Sequence, residues 1–150
     1  MSYDVRIQPV HGSIIASTRR RVTWSEIGQV IMPLFGEVYA FLDASAIGGR
    51  GRNVALYHGA DGQGAELEAG VEVSQAFTPS ATVACSRTPS GLAAHTTHVG
   101  DYQLLGQAHE AVIHWLEGGG KKFGLGWEVY GDWHDDPRER RTDVYRLIEG

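Results

Sequence analysis

Apolar residues recur along the chain with two different periods, and the change from one to the other marks out the elements. Val5 and Ile7 alternate as far as Pro9, the chain turns at His11-Gly12, and SIIAST resumes the apolar run, so this stretch reads as a strand pair. From Ile27 the period lengthens. Ile27, Val30, Ile31, Leu34, Val38, Phe41 and Leu42 lie at helical spacing, and Thr23 with Glu26 three residues later has the form of a capping box, predicting a helix near Trp24 to Ala44. Pro33 inside that run predicts a kink or a broken first segment, because its ring removes an amide and crowds the preceding turn. Gly48-Gly49-Arg50-Gly51 ends the helix and reads as a flexible connection. It is no phosphate loop, since it lacks the Lys-Ser/Thr pair and runs from helix to strand. Val54 to His58 then reads as a strand and Gly59 to Gly64 as a turn. In ELEAGVEV, Glu66, Glu68 and Glu72 share one face while Leu67, Val71 and Val73 share the other, which predicts a half-buried strand.

After Thr78-Pro79-Ser80 the scheme restarts with TVACS, a turn at Pro89-Ser90-Gly91, and LAAHTTH. Leu104, Leu105, Ala108, Ala111, Val112, Trp115 and Leu116 form one apolar stripe, predicting a second helix over about Asp101 to Glu117 that stops at Gly118-Gly119-Gly120. Trp115 is expected in the core. Two strands follow, around Trp127 to Asp132 and Thr142 to Ile148. Individual residues repeat as well: Gly12, Trp24 and Gly28-Gln29 are answered about 78 residues later by Gly91, Tyr102 and Gly106-Gln107, and VALYHG is answered by WEVYGD with Tyr57 against Tyr130. The fold class expected is therefore α+β, a duplicated module with pseudo-twofold symmetry. Module one covers about residues 4–76 and module two about 82–148, within a single domain spanning 1–150. A ligand cleft is expected at the seam.

Composition narrows the class. A hydrophobic share of 42% beside 21% charged residues suits a globular domain, and the apolar runs are read as too short for a membrane span. The N-terminus has no basic leader followed by an apolar segment, so a cytoplasmic location is expected. A net charge of −5 argues against direct nucleic-acid binding, and Arg19-Arg20-Arg21 with Arg138, Arg140 and Arg141 are read as solvated strand ends. Cys85, the single cysteine, excludes an intrachain disulfide and is read as a small core residue.

His98, Gly100, Tyr102, Trp115, Leu116, Trp127, Glu128, Tyr130, Thr142 and Tyr145 follow one another in the second half in a distinctive order and spacing. In that order the second half resembles the GyrI-like small-molecule-binding domain, the effector-binding domain of AraC-type and MerR-type drug-responsive regulators. Asp101 stands where that family usually has proline, Asp143 replaces glutamate, and Leu147 replaces a final proline. The resemblance implies a curved antiparallel sheet carrying two long helices, and a pocket for bulky, often cationic aromatic compounds. Members of that family are either fused to a DNA-binding helix-turn-helix or stand alone, and the stand-alone form is expected here because the sequence starts directly at the domain.

Glu128 is the strongest candidate for chemistry. Strand alternation puts Glu128 and Tyr130 on one face and Trp127 and Val129 on the other, and a carboxylate among aromatics is costly to bury unless a cation or hydrogen bond answers it. Tyr130, Tyr57, Tyr102, Trp24, Trp127 and Tyr145 are candidate ligand walls through stacking or cation–π contact, and His95 is a candidate to face the pocket. No metal or cofactor is expected, because His109 and His114 are five apart rather than four and alternation separates His95 from His98. Three functions are consistent with this reading. The first is a binding protein for hydrophobic, cationic or planar aromatic molecules in drug sensing, sequestration or toxin tolerance. The second is a hydrolase of strained cyclopropane-containing genotoxins, with Glu128 and Tyr130 as catalytic residues. The third is a protein-binding inhibitor module. A small molecule is the expected partner, with a separate regulator or a homodimer as further candidates and no membrane.

Overall fold

The computed structural model describes residues 2–150. In chain order the elements are β1 (Arg6–Val10), β2 (Ile14–Thr23), α1 (Ile27–Ala44), β3 (Asn53–His58), β4 (Gly64–Glu72), β5 (Ala84–Arg87), β6 (Gly91–Val99), α2 (Leu105–Gly118), β7 (Phe123–Tyr130) and β8 (Arg141–Ile148). Single 3-10 turns at Tyr102–Leu104 and Pro137–Glu139 precede α2 and β8. The described strand pairs are antiparallel, which makes the chain α+β.

The chain divides into two compact units, Gly12–Thr88 and Met1–His11 with Pro89–Gly150. This division differs from the two consecutive modules read from the sequence. β1 does not pair with β2, the next strand along. It pairs with β6, from Arg6 opposite His95 to Val10 opposite Gly91, while β5 pairs with β2. Side chains hold the exchange in place: the Thr96 hydroxyl donates to the Asp4 carbonyl at 2.9 Å, and the Ser13 amide donates to the Thr88 hydroxyl at 2.8 Å. Pro9 is tolerated because β1 is an end strand, where a missing amide breaks no second ladder.

In the Gly12–Thr88 unit the strand order is β3-β4-β2-β5. Leu34, Phe35, Val38 and Leu42 form the buried stripe of α1, with Val38 and Leu42 packing on Ala16, Val71, Val73 and Val83. By length and composition α1 is apolar enough to cross a membrane, contrary to the expectation, although about a fifth of it (22%) is buried inside the fold. It runs unbroken through Pro33. The capping box forms by half: the Glu26 carboxylate accepts from the Thr23 amide at 2.9 Å, but the Thr23 hydroxyl also turns to that carboxylate instead of to the Glu26 amide. The glycine connection is not slack. Gly49 has φ +67, and a Cβ there would run into the Ser74 side chain.

Two expectations fail here. The face of β4 that carries Glu66, Glu68 and Glu72 was expected to be open, and Glu66 is exposed, but Glu68 on the same face is 1% exposed. Cys85 lies on β5, which has a neighbour on one side only, and is exposed. The arginines of β2 are exposed, as expected, and two of them also form ion pairs: Arg19 with Glu66 and Glu68, and Arg21 with Asp61.

In the other unit the order is β1-β6-β8-β7, with α2 packed over β6 and β8. Leu105, Ala108, Val112 and Leu116 bury one stripe against Ala94 and Val144. That stripe is narrower than the sequence suggested. Trp115, about 100° round the helix from Leu116, is 41% exposed, not core.

Candidate functional site

β7 supplies the centre of the site. Its pairing with β8 sets Glu128 opposite Val144 and Tyr130 opposite Thr142, and alternation turns Glu128 and Tyr130 toward α2. Gly126, next along that face, leaves room for the Arg146 guanidinium, which a Cβ would meet at 2.7 Å. Arg146 donates to the Gly124 carbonyl, and its burial pushes its pKa down.

Glu128 is 1% exposed. One oxygen lies 3.7 Å from His109 Nε2, a charge contact longer than a hydrogen bond, and the other accepts from the Tyr130 phenol at 3.5 Å, the long limit of such a bond. His109 reaches the sheet because it falls four residues after Leu105 and three before Val112, on the edge of the buried stripe of α2. A buried carboxylate is stable only beside such partners. Next to Tyr130 in the register, the Thr142 hydroxyl is buried without a hydrogen-bond partner among the described residues.

From Tyr130 a row of aromatic rings leads outward. Tyr102 meets Tyr130 edge-on, with centroids 5.6 Å apart and planes at 77°, and Trp133 lies 6.3 Å beyond Tyr102. Burial pushes the Tyr102 phenol up against the opposing charge of Arg140, so it stays protonated. The Arg140 guanidinium carbon sits 3.8 Å over Trp133 and 5.3 Å from the Tyr102 ring. Its Nε donates to the His134 carbonyl at 2.9 Å.

The other candidates divide into two groups. Trp127, Tyr145 and His95 come together on the face turned away from α2. Trp127 and Tyr145 stack at 5.1 Å and 10°, the His95 ring lies 4.8 Å from Tyr145, and His95 Nε2 is 2.9 Å from the Asp143 carboxylate. Trp24 and Tyr57 belong to the Gly12–Thr88 unit, where their rings meet at 6.1 Å. Two surface hollows, of about 610 and 570 Å³, lie away from Glu128, one beside Lys121 and Lys122 and the other beside Tyr3, Glu110 and His114.

Neither histidine pair forms a metal site, and among the described residues no group of three His, Cys, Asp or Glu is placed to hold an ion. Both ring nitrogens of His98 are engaged: Nδ1 with the Tyr3 hydroxyl at 2.8 Å and Nε2 with the Asp101 carbonyl at 2.9 Å. Because a carbonyl only accepts, Nε2 carries the proton. Sequence reasoning considered His109 only as a metal ligand, and its helical spacing was the signal that it faces the sheet. Trp133 was missed and Arg140 was read only as a solvated strand end, both in a loop where no periodicity applies.

No protein-family model matches the chain, and no curated protein matches it. Solved structures do. The EcmrR C-terminal domain superposes with a TM-score of 0.81 over 99% of both chains at 22% identity. SAV2435, solved bound to tetraphenylphosphonium, has a TM-score of 0.65 and 13% identity over 100% of this chain and 95% of its own. A hydrolase from Listeria innocua has a TM-score of 0.63 and 10% identity over 97% of this chain and 91% of its own. At these identities the likeness establishes that the chain shares their fold.

Proposed function

We propose that this chain is a GyrI-like domain that binds bulky hydrophobic cations with aromatic rings, in drug sensing, sequestration or toxin tolerance. The observation that carries the proposal is a carboxylate 1% exposed, Glu128, at the inner end of the aromatic row Tyr130, Tyr102 and Trp133. An aromatic wall favours a flat cation by stacking and cation–π attraction, and a desolvated carboxylate favours it over a neutral molecule of the same shape. The tetraphenylphosphonium held by SAV2435 is a ligand of this chemistry, and it supports the reading. Fold alone does not, since one fold hosts many functions.

Calorimetry with tetraphenylphosphonium and neutral triphenylphosphine oxide tests it. Glu128→Gln is expected to weaken the cation by about 2–5 kcal/mol, the usual cost of losing a desolvated charge contact, and to change the neutral compound little. Equal losses for both ligands would mean that Glu128 acts through shape or folding.

A hydrolase is the second reading, favoured by His109 standing 3.7 Å from Glu128. A carboxylate and an imidazole so placed can pass a proton to and from a water attacking a strained ring, and the Tyr130 phenol can donate to the developing charge. Multiple turnovers of a cyclopropane-bearing alkylator, followed by mass spectrometry and abolished in Glu128→Gln, would establish this reading over simple binding.

A further inference from the structure

The outer end of the aromatic row already holds a cation. Arg140 lies 3.8 Å over Trp133 and 5.3 Å from Tyr102, while Trp133 itself is 64% exposed and donates its indole N–H to the Asp135 carboxylate at 3.2 Å. Among the described residues Arg140 has no carboxylate within 4.0 Å, although its charge reaches Asp136 and helps to lower the pKa there; its hydrogen bonds go to two backbone carbonyls, His134 and Asp135, of the same loop. Its neighbours Arg138 and Arg141, by contrast, pair with Asp136 and Asp143. A guanidinium held by carbonyls and two aromatic faces is bound much as an external organic cation would be.

We propose that Arg140 is a resident cation that competes with the ligand for the Tyr102–Trp133 aromatic site and thereby sets which cations the domain accepts. The assignment rests on reading the Glu128 region as a site for aromatic cations. A ligand able to displace the guanidinium must supply its own charge and more apolar area than the arginine stem, so large lipophilic cations pass and small ones such as tetramethylammonium do not. Displaced from Trp133, the guanidinium keeps its loop carbonyls or turns to solvent, and the cost of leaving the two rings is deducted from ligand affinity.

The test is calorimetry on the whole chain with tetraphenylphosphonium, tetramethylammonium and triphenylphosphine oxide, comparing the parent with Arg140→Gln and Arg140→Lys. Arg140→Gln is expected to bind tetraphenylphosphonium roughly three- to thirtyfold tighter, the range of one cation–π contact, to bind tetramethylammonium where the parent shows no binding, and to hold the neutral compound within about twofold of the parent. Arg140→Lys, which leaves a cation over the rings, is expected to resemble the parent. If Arg140→Gln does not fold, Arg140→Met, which keeps the apolar stem, takes its place. Unchanged or weaker cation binding in the charge-removed variant overturns the assignment, and so does an equal gain for the neutral compound, which would mean simple opening of the site. If tetraphenylphosphonium binds neither the parent nor the variant, the reading of the site itself fails and the assignment with it. Binding to the parent with no gain on removing Arg140 sinks the assignment alone.

Discussion

Among the described residues three carboxylates are buried on strands, Glu68, Glu128 and Asp143, and each has a different set of partners. Glu128 has an imidazole and a phenol at long range. Glu68 is held more tightly, by the Ser17 hydroxyl at 2.6 Å, His58 at 2.8 Å and Arg19 at 3.2 Å. Burial acts to raise its pKa, but hydrogen bonds from Ser17, His58 and Ser86 with the charge of Arg19 outweigh it and hold the carboxyl below its ordinary value of 4.5. Asp143 is held below 3.8 in the same way, burial being outweighed by His95, Thr97 and Arg141. A group whose pKa is lower when folded adds stability above the unfolded pKa and loses it as pH falls through the folded one. Glu68 and Asp143 should therefore stabilise the chain at neutral pH and lose that contribution progressively as pH falls below their ordinary carboxyl values and through the lower folded ones, where urea unfolding should show a falling stability. Glu68→Ala, which strands Arg19, His58 and two hydroxyls, is expected to cost about 3–5 kcal/mol at pH 7 and less in acid. A cost that does not change between neutral pH and acid would mean the carboxylate contributes by packing alone. The alternation of ELEAGVEV identified the face that carries Glu68 but not its burial, because the side chains that surround it, Ser17 and Arg19 of β2 and His58 of β3, come from other strands, which no local pattern records.

The elements themselves were largely legible. Periodicity located both helices to within a few residues, since an amphipathic stripe is a local property of the chain. What it overstated was the width of the α2 stripe: the sheet beneath accommodates Leu105, Ala108, Val112 and Leu116, and leaves Trp115 at its edge. The two readings of α2 have different consequences. Leu116→Ala should cost about 2–5 kcal/mol by opening a cavity in the core, whereas Trp115→Ala should cost much less, because a half-exposed ring leaves no void. Thermal unfolding of the two variants measures the difference. Comparable losses would put Trp115 back in the core. The exchange of β1 and β5 was not legible. A short connection such as His11 to Ser13 permits a hairpin, and the actual pairing is fixed by contacts distant in sequence, such as Tyr3 with His98 and Ser13 with Thr88.

For the whole molecule, the repeated residues and the repeated order of strand, helix, strand and strand support reading the two units as copies of one module. Counted from the matched Tyr57 and Tyr130, Glu68 in β4 answers Asp143 in β8: Leu67 pairs with Tyr57 as Thr142 pairs with Tyr130, one residue before each acid. The two units differ where chemistry concentrates, since by the same count Ala55 answers Glu128. The central claim is that Glu128 is the charge that receives a lipophilic cation, and a crystal structure with tetraphenylphosphonium tests it most directly. The account expects the phosphorus within about 6 Å of the Glu128 carboxylate, the range over which opposite charges interact strongly, with phenyl rings against Tyr130 and Tyr102 and with Arg140 moved off Trp133. A ligand seated instead in the hollow beside Tyr3, Glu110 and His114, with Glu128 still covered and bonded to Tyr130, would contradict it.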